Sequence, residues 1–66
     1  MMAPTVGRIV HFTWAGNEPP WPAVIATVGQ GDVSLYVMDA HMGAHWEHHV
    51  KFSEGYQKGC WSWPPR

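Results

Sequence analysis

The chain of 66 residues carries a formal charge of -1, with 45% hydrophobic and 14% aromatic residues. A chain this short buries only about 60% of the surface its unfolded form exposes, so it holds one domain at most and must draw stability from large side chains or from association. Its near-neutral balance gives no long-range attraction for phosphate, and no run approaches the roughly 20 apolar residues of a membrane span. Five tryptophans, two tyrosines and two phenylalanines meet the need for burial, since each ring removes about 150 to 250 Å² from water. The single cysteine, Cys60, excludes an intrachain disulfide and fits a reducing compartment. The opening "MMAPTVGR" has neither the basic nor the apolar region of a signal peptide. These features predict a soluble cytoplasmic domain spanning residues 1–66.

Seven valines and two isoleucines against one leucine favour strands. The first is "TVGRIVHFTW", Thr5 to Trp14, where Val6, Val10 and Phe12 share one parity and Ile9 and Thr13 the other. Arg8 falls on the apolar parity, so either a bulge at Gly7 shifts the register or the arginine stem lies over the core. "AGNEPPWP", residues 15–22, reads as a loop stiffened by prolines, with Trp21 inside it. "AVIATV", Ala23 to Val28, is the most central strand, and "GQGD", Gly29 to Asp32, a hairpin turn. "VSLYVM" then alternates with Val33, Leu35 and Val37 inward, and Ser34, Tyr36 and Met38 outward.

"AHWEHHVKF", Ala44 to Phe52, can be written as a short helix, but it alternates better as a strand. Trp46, His48, Val50 and Phe52 then lie on one side, with Trp46 in the core, and His45, Glu47, His49 and Lys51 on the other. "SEGYQKG", residues 53–59, is a turn-rich connection before a last strand, "CWSW", ended by Pro64 and Pro65. Five short strands predict an all-β fold: a small SH3-like antiparallel β-barrel, with a curled sheet that dimerises as the nearest alternative.

The stretches "VGRIVHF", "PPWPAVIATV", "DVSLYVM" and "WSWP" together resemble a family of small proteins encoded in bacteriophages and prophages, whose members share a "VGRIVHY"-like start and a "WHWP"-like end. Nearly the whole chain is covered, with Phe12 in the usual tyrosine place and Ser62 where histidine is common. The resemblance implies a phage or prophage origin and a small β-barrel. It brings no catalytic residue.

Two groups of side chains have chemistry to offer. His41, His45, Glu47, His48 and His49 include borderline ligands suited to zinc. On a strand His45 and Glu47 stand about 6 to 7 Å apart on one face and can share an ion, but His45 and His49 are too distant. Neither HExxH nor a paired CxxC is present, so no metal or other cofactor is expected. The second group is aromatic: Trp14, Trp21, Tyr36, Trp61 and Trp63. Rigid rings close together can hold an extended or proline-rich peptide, because little entropy is lost on a preformed platform. At least one of Trp61 and Trp63 must serve the core instead.

No nucleophile elbow frames Cys60, and "GQGD" lacks the context of a phosphate cradle, so no catalytic residue is assigned. The sequence therefore points to a nonenzymatic, phage-associated interaction or structural module that self-associates and contacts a phage or host protein. It would act in the host cytoplasm or on the virion. A small nucleic-acid-binding or zinc-stabilised accessory protein is the alternative. The charge balance disfavours nucleic acid, and nothing suggests a membrane.

Overall fold

The computed structural model describes residues 3–41 and 43–64. Five strands form in chain order: β1 (Ile9–Phe12), β2 (Trp21–Val28), β3 (Val33–Asp39), β4 (Gly43–Phe52) and β5 (Cys60–Ser62). They close into an SH3-like barrel in the order β1-β2-β3-β4-β5. All neighbours pair antiparallel except β4 and β5, whose short parallel pairing joins Lys51 to Cys60 and Phe52 to Trp61. The segment predicted as either helix or strand is β4.

Alternation builds the interior. Val10 and Phe12 of β1, Ala23 and Ile25 of β2, and Val33, Leu35 and Val37 of β3 point inward, and Val50 and Trp61 complete the core. Trp61 is only 3% exposed, so one member of the terminal tryptophan pair does serve the core. Phe52 meets it edge to face at 4.9 Å, and Trp63 does the same at 5.1 Å, the arrangement favoured by ring quadrupoles.

The first strand is shorter than the sequence suggested. Thr5 to Arg8 folds into a reverse turn, in which Arg8 N–H donates to the Thr5 carbonyl and Gly7 takes a φ of +89°. Only glycine adopts that angle without strain. The turn leaves Val6 outside at 68% exposure and carries the Arg8 guanidinium over the Trp63 ring, 5.6 Å from its centre. At the next connection the Gly29 N–H donates to the Asp32 carbonyl at 2.8 Å, closing the expected hairpin turn.

β4 contradicts one expectation. The parity reading placed Trp46 in the core beside Val50, but Trp46 is 55% exposed. The cause is a β-bulge. Two steps along β3, from Val33 to Leu35, match three along β4, from Val50 to Glu47. The extra residue is accommodated at His49, which adopts a left-handed φ of +56°. Parity reverses there, so Val50 turns inward while Trp46 and His48 face out. β2 has a similar irregularity between Ile25 and Thr27. No helix among the described residues is long and apolar enough to cross a membrane.

Candidate functional site

Loop and hairpin meet at one end of the barrel to build an aromatic site. Trp21 opens β2 opposite Phe12, and Trp14 follows β1 by two residues. The Pro19–Pro20 path brings the two indoles into a parallel stack, 4.6 Å between centroids and 8° between planes. Trp14 Nε1–H donates to the Pro19 carbonyl at 3.1 Å, which anchors the ring to its own loop. Both indoles are half-buried and pack against the core.

The β3–β4 hairpin supplies polar walls. Asp39 Oδ1 accepts from the His41 backbone N–H at 2.7 Å, an Asx-type turn. This sets the His41 ring 6.4 Å from each indole. His45 meets Trp21 edge-on at 6.1 Å. Its Nε2–H donates to Glu47 Oε2 at 2.9 Å, while Nδ1 lies 3.8 Å from Asp39 Oδ2. The result is a flat apolar platform bordered by two imidazoles and two carboxylates. It can stack an apolar or aromatic side chain and hydrogen-bond the polypeptide that bears it.

The other predicted residues are dispersed. Tyr36 lies on the outer face of β3, against Trp46 with centroids 4.9 Å apart. Trp61 has no ring face free for a partner, because burial in the core consumes it; its proposed place on a binding surface is corrected accordingly. Trp61 and Trp63, with Val28, Val33, Phe52 and Asp32, line a separate open cleft of about 380 Å³ at the far end of β2.

The histidine and glutamate group does not converge on an ion. His45 and Glu47 touch, but each His45 ring nitrogen already faces its own carboxylate on opposite sides of the ring. His48 Nδ1 instead pairs with Ser34 Oγ at 3.3 Å, and His49 Nδ1 approaches Asp32 Oδ2 at 3.3 Å beyond the bulge. Among the described residues no three His, Cys, Asp or Glu side chains are grouped to hold a metal.

No protein-family model, curated protein or solved structure matches the chain. Sequence reasoning identified Trp14 and Trp21, with the histidine row as a source of directional hydrogen bonds, but not the part played by Asp39 or that His41 and His45 are the histidines beside the indoles. The usable signal was the proline-stiffened loop, which holds one indole close to the other. The contribution of the β3–β4 turn depends on register across the barrel, which the spacing of residues along the chain does not reveal.

Proposed function

We propose that the chain is a nonenzymatic interaction module of phage or prophage origin, which self-associates and captures a phage or host protein on the Trp14–Trp21 platform. The observation that carries this reading is the stack itself: two large, half-buried rings packed beside a core that Trp61 already completes. Loop prolines and the Trp14 Nε1 hydrogen bond fix the rings before any partner arrives, so binding sacrifices little side-chain entropy. Asp39, His41, His45 and Glu47 add directional contacts at its border.

Selection of peptides from a random display library against the untagged protein tests the reading. Enriched peptides are expected to bind the wild type and to lose at least about tenfold in affinity with Trp21→Ala, a typical penalty for removing an aromatic anchor. Failure to enrich any peptide, or peptides indifferent to Trp21→Ala in a folded variant, would count against the platform. Sedimentation velocity of the same untagged protein tests self-association separately.

A further inference from the structure

The outer face of the sheet carries a continuous row of apolar side chains. Ile9, Val24, Tyr36 and Trp46 are register partners in succession across β1, β2, β3 and β4. Met38 opposite Ala44 lies on one side of the row, and Ser34 with His48 on the other. None of these positions is Asp, Glu, Lys or Arg. Ile9 is 50% exposed, Tyr36 40%, Met38 38% and Trp46 55%. Those four side chains leave roughly 400 Å² in water, enough for a contiguous patch to mark an interaction surface.

We infer that this face is where two copies of the chain meet, an assignment that rests on the self-association reading and supplies its surface. Two such patches with their flanking side chains would bury about 1,000 Å² together, the lower bound for a specific pairing. A second copy suits the face because a two-fold interface is self-complementary, and a patch without charges meets itself without repulsion. Sheets also stack readily at about 10 Å, with interdigitating side chains from each layer. The Tyr36 and Trp46 pair, already in contact within one copy, supplies a central aromatic anchor of the kind that dominates such contacts. The Trp14–Trp21 platform lies elsewhere and stays open for a different partner.

Sedimentation velocity over a range of concentrations, on the untagged full chain, tests the assignment through Trp46→Glu, Ile9→Lys and the off-face control Lys58→Glu. The wild type is expected to dimerise reversibly. Trp46→Glu and Ile9→Lys should each raise the dissociation constant by at least about thirtyfold, and Lys58→Glu by less than about threefold. Both face positions are half-exposed in the single copy, so circular dichroism should find the variants folded; should one fail to fold, the other decides. A wild type that stays monomeric overturns this inference together with the self-association reading. A dimer that survives both face variants overturns the face alone.

Discussion

Trp14 and Trp21 lie almost parallel in a stack, 4.6 Å between ring centres, although one follows β1 and the other begins β2. Such pairs contribute about 0.5 to 1.5 kcal/mol beyond the area they bury. A double-mutant cycle of Trp14→Ala and Trp21→Ala, measured by urea unfolding, should return a coupling of that size. Strictly additive losses would mean that each ring is held by its loop and not by the other.

His49 holds the bulge of β4 in a conformation that costs an L-residue about 1 to 2 kcal/mol. His49→Gly should therefore raise stability by about 0.5 to 1 kcal/mol, the gain being reduced by the larger entropy of an unfolded glycine. His49→Val should lower it by about 1 to 2 kcal/mol. Thermal melts of the pair check this, and the opposite order would show that the bulge tolerates side chains at no cost. The exposed contact to Asp32 adds too little to alter the ranking.

Two buried hydroxyls, Thr13 Oγ1 and Ser62 Oγ, lack a hydrogen-bond partner among the described residues. Burying such a group without a partner costs about 1 to 3 kcal/mol. Thr13→Val keeps the shape and removes the orphaned donor, so it should be neutral or stabilising by up to about 1 kcal/mol. Calorimetry that found a clear loss would indicate a partner for the hydroxyl, such as an ordered water.

The tryptophans of the core and of the outer face should separate cleanly. Trp61→Ala is expected to cost about 3 to 5 kcal/mol, which is much or all of the stability available to a domain of this size. Trp46→Ala should change the unfolding free energy of the single copy by less than about 1 kcal/mol. Denaturant titration at a concentration too low for association makes the comparison. Equal losses would contradict the inside and outside assignments.

The strand pattern was legible because valine-rich runs alternate between glycine and proline punctuation. Val33, Leu35 and Val37 sit inward as their spacing predicts, and the "GQGD" turn forms where its glycines allow. Trp46 was misplaced because parity counting assumes an unbroken strand. The residue that breaks it is a histidine, which nothing local marks as left-handed. Val6 was misplaced for a related reason: Gly7 opens a turn where it was read as an irregularity within a strand. At the site, the two indoles were identifiable from the loop between them. Their neighbours from the β3–β4 turn were hidden, since they lie about 20 or more positions further along the chain and only the pairing of β2 with β3, and of β3 with β4, brings them near.

The pairing of β1 with β5, His11 to Ser62 and Phe12 to Trp61, ties the beginning of the fold to its end. A nascent chain halted at Gly59 has made four strands but lacks the indole around which they wrap. Assembly must therefore wait until Cys60 to Ser62 has been synthesised, and the growing polypeptide spends translation with its valine-rich hairpins unsealed. Termination before Cys60 should consequently yield material for proteolysis, not a slightly weakened barrel.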